Sequence, residues 1–376
     1  MSEEHSGDTA KPSGEQGLKA LRQQIDTLDT ELLALVNQRA KLAQAVARIK
    51  TDALEKGEKP VFFRPEREAQ VLRRIKERNQ GPLGDESVAW LFRELMSACL
   101  ALEEPMRIAY LGPEGTYTHA ATLKHFGHAV HLAPQTTIDE VFREVEAGAA
   151  HYGVVPVENS TEGMVNNTLD SFMQSNVKVC GEVALRIHHH LLVGPATRTS
   201  GITRIYSHQQ SLAQCRKWLD SHYPNVERIA VSSNAEAARR LRDEWHAAAI
   251  AGDMASELYG LEKLASNIED SPHNTTRFLV VGQESVAASG DDKTSIIVST
   301  RDKPGALYNL LTPFRRENIS LTRIETRPSR DGAWAYVFFM DFDGHETDDA
   351  IVRILDDLGS EAVYLKRLGS YPKAVL

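Results

Sequence analysis

The stretch LRQQIDTLDTELLALVNQRAKLAQAVARIK (21–50) puts Leu21, Ile25, Leu28, Leu32 and Leu35 on one line, then Arg39, then Leu42, Val46 and Ile49. Steps of four and three without a break form an a/d heptad, so residues 18–50 read as one long packed helix. Arg39 takes a seam position where leucine is expected. A guanidinium there is costly to bury without a partner, and no acid lies on the seam. Arg22 sits beside the seam, and Lys50 follows Arg39 by about three turns, on nearly the same face. Three cations on a packed helical interior predict a small anionic ligand held within a helical bundle. The alternative is that Arg39 fixes oligomer register or snorkels to solvent. A helix over 18–50 spans about 50 Å, too long for three helices to cover alone. An intertwined dimer with sites shared between subunits is therefore expected.

The full chain has 376 residues, too many for one typical core, so two or three domains are expected. Its 41% hydrophobic and 25% charged content is that of a soluble globular protein. A net charge of −9 argues against a general nucleic-acid binder but leaves room for anionic small molecules in a local cationic pocket. Cys99, Cys180 and Cys215 are scattered and odd in number, which suits a reducing cytoplasm and excludes a disulfide framework or zinc knuckle. Residues 1–17 are polar and read as a disordered tail, not a signal peptide. No apolar run is long enough to span a membrane.

Residues 18–104 are helical by pattern. A polar break at Gly57 and Pro60 follows the first helix. A second helix opens with Pro65 and ends near Asn79 and Gly81, and a third runs from about Asp85 to Glu103. From Pro105 the pattern becomes α/β, with RIAYLGPEG (107–115), GVVPVEN (153–159), KVCGEVALRIHHHLLVG (178–194), RIYSH (204–208), ERIAV (227–231), AAAIAG (247–252) and RFLVVG (277–282) as β runs. A mostly parallel sheet in two lobes around a cleft is expected over 106–282. QESVAASGDD (283–292) reads as a polar linker. Residues 293–372 then read βαββαβ, a ferredoxin-like order: strand TSIIVST, helix Pro304 to Glu317, strand 319–326, a turn at Ser329–Gly332, strand 334–342, helix 347–358 stopped by Gly359, and strand 362–368.

A strand-to-helix turn and three polar loops at strand ends suggest chemistry in the middle block. GPEGTYTHAA (112–121) places Gly112, Gly115, Thr116 and Thr118 at a strand-to-helix turn, where exposed N–H groups favour an anion. VENSTEG (157–163) gathers Glu158, Asn159, Ser160, Thr161 and Glu162. SHQQSLAQC (207–215) brings Ser207, His208, Gln209 and Gln214, and NTTRF (274–278) brings Thr275, Thr276 and Arg277. Together they predict a cleft for a polar carboxylate-bearing molecule. His188, His189 and His190 point to alternate faces of a strand and have no completing ligands nearby, which argues against a metal site. No serine lies in a nucleophile elbow. In the last block DKPGALYNLL (302–311) sets Gly305 at a strand-to-helix turn, and RIETRPSR (323–330) ends a strand. Such units do not name a function by fold.

On these motifs the chain resembles the bifunctional chorismate mutase–prephenate dehydratases of bacterial phenylalanine biosynthesis, over about residues 18–372. GPEGTYTHAA, VENSTEG, the Ser-His-Gln loop and Thr276-Arg277-Phe278 resemble the dehydratase; GALY (305–308) and ETRP (325–328, ESRP in most relatives) resemble its phenylalanine-sensing ACT domain. The resemblance implies an intertwined all-α three-helix mutase domain (18–104), a two-lobed, periplasmic-binding-protein-like α/β dehydratase (106–282) and a ferredoxin-like α+β ACT domain (293–372). It implies no cofactor or metal, chorismate and prephenate as substrates, phenylalanine as allosteric ligand, and a cytoplasmic homodimer or higher homo-oligomer.

Residue by residue, the resemblance gives Arg22, Arg39 and Lys50 to the mutase substrate, Glu68 to its hydroxyl and Glu103 to its ether oxygen. Arg64 and Cys99 fall on substrate-binding positions where relatives carry aspartate and serine. Glu103 must be protonated to donate to the ether oxygen, so mutase activity is expected to fall as pH rises. The dehydratase step expels carbon dioxide and hydroxide and needs a proton donor for the hydroxide: Thr276 first, Glu158 second. Thr116, Asn159, Ser160, Ser207, Gln214, Arg277 and Phe278 would bind substrate. Gly305, Ala306, Leu307, Asn309 and Glu325 would bind phenylalanine between subunits. The rival functions are a dehydratase with a purely structural helical module, and a non-catalytic amino-acid sensor.

Overall fold

The computed structural model describes residues 14–53, 61–198, 201–301, 303–328 and 336–376. The break at Gly57 and Pro60 and the turn expected at Ser329–Gly332 lie outside these residues. Of the tail expected over 1–17, residues 14–17 form the first turn of a helix. The described chain separates into two compact units, one holding the first helix, Val61, Phe62 and Leu102–Glu104, the other holding 63–101 and 105–376.

In the first unit, α1 (Gly14–Asp52) is continuous, as the unbroken heptad requires. Thr27, Thr30, Asn37 and Thr51 return their side-chain donors to carbonyls four residues back, so these polar residues do not interrupt it. Within its own unit the heptad seam is not buried: Leu28 is 62% exposed, Leu35 63% and Ile49 68%.

The second unit begins with α2 (Pro65–Arg78) and α3 (Asp85–Ala101). Pro65 opens α2 where no amide is needed, and Glu66 and Glu68 complement the helix dipole. Lobe 1 has the sheet order β2-β1-β3-β11-β5, formed by β1 (Arg107–Leu111), β2 (His131–Gln135), β3 (Tyr152–Asn159), β5 (Lys178–Arg186) and β11 (Thr275–Gly282), with β4 (Gly163–Met164) folded back on β3. It carries α4 (Tyr117–Phe126), α5 (Ile138–Glu146) and α6 (Asn166–Gln174). Lobe 2 has the order β10-β6-β9-β7-β8, from β6 (His190–Val193), β7 (Arg204–His208), β8 (Glu227–Val231), β9 (Ala247–Ala251) and β10 (Glu262–Ala265), with α7 (Gln209–Gln214), α8 (Arg216–His222), α9 (Asn234–Arg240) and α10 (Asp253–Tyr259).

Both sheets are mixed, which corrects the parallel expectation. The chain leaves lobe 1 along β5 and returns along β11, so β11 lies antiparallel to both β3 and β5; β6 and β10 are antiparallel in lobe 2. The run read as one β stretch over 178–194 breaks at Ile187–His189, where the chain crosses from one sheet to the other.

The last block follows the expected order: β12 (Asp292–Ser299), α11 (Ala306–Arg316), β13 (Leu321–Pro328), β14 (Tyr336–Asp343), α12 (Asp349–Glu361) and β15 (Tyr364–Pro372), in sheet order β13-β14-β12-β15. Gly359 does not stop α12, which runs on to Glu361. One face of this sheet packs under α11 and α12 through Ile296, Phe314, Phe342 and Leu355. The other face shares a core with lobe 1: Ile297, Phe339 and Tyr371 cluster with Leu279, Val281 and Phe172. Gly369 makes this closeness possible, since a Cβ there would meet the Val179 carbonyl at 2.5 Å. The segment 283–292 is packed and not a free linker. Val286, Ser289 and Asp292 are buried, His345 Nε2 meets the Val286 carbonyl at 2.9 Å, and Arg73 Nη2 donates to the Asp291 carbonyl at 2.7 Å.

Candidate active sites

A cleft of about 480 Å³ lies between the two lobes. It brings together Thr116, Asn159, Gln214, Thr276 and Phe278 of the expected set. Their placement follows from strand ends. Asn159 closes β3, Thr276 is the second residue of β11 beside it, and the two are register partners. Thr116 caps α4, accepting from the His119 amide, and Gln214 ends α7.

The polar order of this cleft can be worked out from backbone amides. Asn159 Oδ1 accepts the Thr161 and Glu162 amides, both at 3.0 Å, so its oxygen position is fixed. Its Nδ2 must then donate, to Thr276 Oγ1 and to Asn274 Oδ1, each at 2.8 Å. Asn274 Nδ2 consequently donates to Gln214 Oε1 at 2.9 Å, leaving Gln214 Nε2 for Glu162 at 3.1 Å. Gln214 Oε1, an acceptor, also faces His189 Nε2 at 2.8 Å, so that nitrogen carries the proton. Burial pushes His189 below the usual imidazole range, keeping it neutral, and Tyr117 Oη lies 2.8 Å from both its Nδ1 and the His188 carbonyl. Burial pushes the Tyr117 phenol far up, so the phenol keeps its proton.

Because Thr276 Oγ1 already accepts from Asn159, its own hydrogen is free to point into the cleft. Among the described residues, no arginine or lysine lines this space; Thr116, Thr118, His208, Ser233 and Asn234 do. An anion here would be held by hydroxyls and by the N-terminus of α4.

Four expected residues lie elsewhere. Arg277 faces away from the cleft, because successive strand residues point to opposite faces. Its Nε meets Glu182 at 2.8 Å, its Nη1 meets Asp341 at 2.6 Å, and its Nη2 donates to Tyr371 Oη at 2.9 Å. Glu158 likewise faces away from Asn159, toward Arg323 at 4.0 Å, and does not line the cleft. Ser160 ties the loop to its neighbour, its Oγ donating to the His273 carbonyl and accepting the Thr275 amide. Ser207 is fully buried and bonds Asn234 Oδ1 and the Ile250 carbonyl. The sequence weighs His189 only as a metal ligand and gives no role to Tyr117 or Asn274. The three-histidine run was itself the signal for His189, since a period of two sends His189 one way and His188 and His190 the other.

In the first unit, Glu103 titrates in the field of Lys50 and Arg39. Partial burial raises its carboxyl above the usual range, against the pull of both cations. Lys50 Nζ also donates to the Val61 carbonyl at 3.0 Å. Arg22 is exposed and lies 17 residues before Arg39. That separation is about 25 Å along one helix, so the two cannot serve one site from the same chain. In the second unit, Glu68 forms a buried ion pair with Arg93, Arg64 Nε bonds Glu66 at 2.6 Å, and Cys99 is buried in α3. Gly305 caps α11 at φ 80°, a left-handed conformation that glycine adopts without strain. Ala306 is half-buried beside it, Leu307 and Asn309 are exposed, and Glu325 is half-buried on the edge strand β13.

Known proteins bear on each region. A prephenate dehydratase family profile matches residues 108–286, a chorismate mutase type II profile 21–104, and an ACT domain profile 294–360. The chain is 66% identical over 359 residues to a bifunctional chorismate mutase/prephenate dehydratase of Pseudomonas aeruginosa, covering 96% of this chain and 98% of that one. It is 30% identical to the Escherichia coli K12 protein of the same description, covering 96% and 97%. A crystal structure of prephenate dehydratase in complex with L-Phe, from Arthrobacter aurescens, superposes with a TM-score of 0.66 at 35% identity, covering 71% of this chain and 89% of that one.

Proposed function

We infer the roles below from one premise: the chain belongs to the bifunctional chorismate mutase/prephenate dehydratases and carries both activities, which serve phenylalanine biosynthesis. The domain limits read from the sequence, 18–104, 106–282 and 293–372, stand as our division of labour.

The dehydratase works in the interlobe cleft. Prephenate loses carbon dioxide as its ring aromatises, and the electron pair released drives out the ring hydroxyl. The departing oxygen needs a hydrogen bond as charge builds on it. Thr276 supplies it. The observation that carries this reading is the Asn159 amide, which donates to Thr276 Oγ1 and leaves that hydroxyl free to donate to substrate. Glu162, the carboxylate lining the cleft, replaces Glu158 as the group that can return a proton. Thr116 with the amides of the α4 N-terminus, and His208, Ser233 and Asn234 from lobe 2, hold the two carboxylates. Phe278 packs the ring side, and Gln214 and His189 lock the lobes' polar edges together.

The mutase rearrangement needs orientation of a compact conformer and stabilisation of charge on the ether oxygen. Arg39 and Lys50 bind the dicarboxylate, and protonated Glu103 donates to the ether oxygen. Arg22 of a second copy completes the set, because one helix holds Arg22 and Arg39 too far apart. The exposed seam of α1 supports a homodimer that pairs these helices. Glu68, Arg64 and Cys99 remain assigned to the substrate hydroxyl side. Phenylalanine binds the ACT domain near Gly305, Ala306, Leu307, Asn309 and Glu325 and inhibits through differential affinity for two states. No described helix is long and apolar enough to cross a membrane, and three buried free thiols suit the cytoplasm.

Chorismate turnover by the purified enzyme, with prephenate and phenylpyruvate resolved without an acid quench, tests the whole reading. Phenylpyruvate from chorismate is expected. Dehydration of added prephenate without chorismate turnover would reduce the helical region to a scaffold.

A further inference from the structure

Behind the cleft lies a buried ionic cluster that the reaction does not use. Thr276 and Asn159 pair across β11 and β3 on the cleft side, while Arg277 and Glu158, the next register pair, face the ACT sheet. All four ACT strands reach this spot. From β12, Lys293 Nζ bonds Glu182 at 3.0 Å and Ser295 Oγ donates to Asp341 at 2.6 Å. From β13, Arg323 Nη1 meets Asp341 at 3.3 Å and its Nε lies 4.0 Å from Glu158. β14 supplies Asp341 itself, and β15 supplies Tyr371, whose Oη lies 2.8 Å from Ser295 Oγ. Arg277 is the member that belongs to the catalytic strand, and it touches the ACT sheet through both terminal nitrogens.

Two features make this cluster sensitive. Its cations Arg277, Arg323 and Lys293 balance Glu182, Asp341 and Glu158, and side chains at its centre are nearly inaccessible, Glu182 6% and Asp341 7% exposed. Displacing one partner therefore leaves a buried charge uncompensated. Arg323 is also incompletely satisfied, since its Nε and Nη2 have no hydrogen-bond partner among the described residues. It stands on the edge strand β13, two residues from Glu325, and Arg327 of the same strand holds Asp170 of α6 at 2.7 Å. A shift of β13 must move these contacts.

We propose that Arg277 is a positioning residue for Thr276, not a substrate ligand, and that Asp341 with Tyr371 transmits the state of the ACT sheet to the catalytic strand through it. The inference rests on the reading above of the cleft as the dehydratase site and of the ACT domain as the phenylalanine sensor. Glu182 holds Arg277 from within lobe 1, so catalysis survives loss of the ACT contacts, whereas the response to effector does not.

The test compares full-length wild type with Arg277→Lys, Asp341→Asn, Tyr371→Phe and the Arg277→Lys/Asp341→Asn double variant. It reads dehydratase kcat, KM for prephenate and the phenylalanine concentration giving half inhibition. Arg277→Lys is expected to lower kcat with KM unchanged. Asp341→Asn and Tyr371→Phe are expected to keep dehydratase turnover while raising the half-inhibiting concentration about tenfold. In the double variant the shift should not exceed that of Asp341→Asn, because one link is broken twice. Tyr371→Phe removes a hydroxyl without stranding a charge, so it speaks even where Asp341→Asn folds poorly. A raised KM for Arg277→Lys, or wild-type inhibition in both ACT variants, would overturn the proposal. Wild type insensitive to phenylalanine would instead sink the regulatory reading, and the split between kcat and KM would still decide the role of Arg277.

Discussion

Asn159 donates to Thr276 Oγ1 at 2.8 Å, and it cannot turn its amide over, because two backbone amides hold its oxygen. The direction of that one hydrogen bond decides where the threonine hydrogen points.

Asn159→Asp should therefore be more damaging than its size suggests. A carboxylate there accepts the Thr276 hydrogen and withdraws it from substrate, and it faces the Asn274 oxygen as well. A loss of dehydratase kcat on the order of 10²–10³ is expected, comparable to removing one preorganised donor. Thr276→Ala should match it, with the mutase unchanged in both. Phenylpyruvate formation from prephenate, alongside chorismate consumption, measures this.

The role proposed for Glu103 gives the mutase a pH dependence of fixed sign. Partial burial raises its carboxyl, and the donating form is the protonated one. Activity is present below the raised pKa and declines as pH rises through it. Glu103→Gln donates at every pH and should flatten the profile of kcat between pH 5 and pH 8, a range taken about the ordinary carboxyl and imidazole values.

Buried histidines predict acid lability. Burial lowers His119, His125, His189 and His190, so the folded chain binds fewer protons than the unfolded chain below about pH 6.5. Their stabilising contribution is complete above that value and is lost as pH falls toward the depressed folded values. The melting temperature should drop between pH 7 and pH 5.5, before carboxylates begin to titrate. An unchanged Tm over that interval would contradict it.

Gly369→Ala should weaken the seat of the ACT sheet on lobe 1. The new Cβ meets the Val179 carbonyl, and φ is 144° there. A cost of about 1–3 kcal/mol is expected, read from denaturant midpoints. Gly305→Ala meets no neighbour and should show only the backbone penalty of its left-handed conformation.

What the sequence disclosed, and what it hid, follows from periodicity. The seam from Leu21 to Ile49 spans nine positions, so its helix is unmistakable, and the βαββαβ order stands out through the alternation of short elements. The motif assigns Thr276 to proton donation and Arg277 and Phe278 to substrate binding, yet a period of two places only Thr276 and Phe278 in the cleft. Glu158 and Asn159 divide in the same way. Ser207 lies in the core and not in the cleft, a difference hidden in sequence because a serine at a strand end looks alike whether it faces one or the other. The polar residues of 283–292 suggest a linker, whereas its burial rests on contacts of Val286, Ser289 and Asp292 that no local pattern discloses. The contacts of Arg277 with Asp341 and Tyr371 join residues 64 and 94 positions apart, beyond any local pattern.

The uncovered seam of α1 has a metabolic corollary. The proposed pairing of α1 with a second copy would depend on how many copies the cell holds, whereas the interlobe cleft is built within one chain. On dilution, rearrangement of chorismate should fade before dehydration of prephenate does. A cell that makes little of this polypeptide would then draw less from the branch point while still clearing whatever prephenate other enzymes supply.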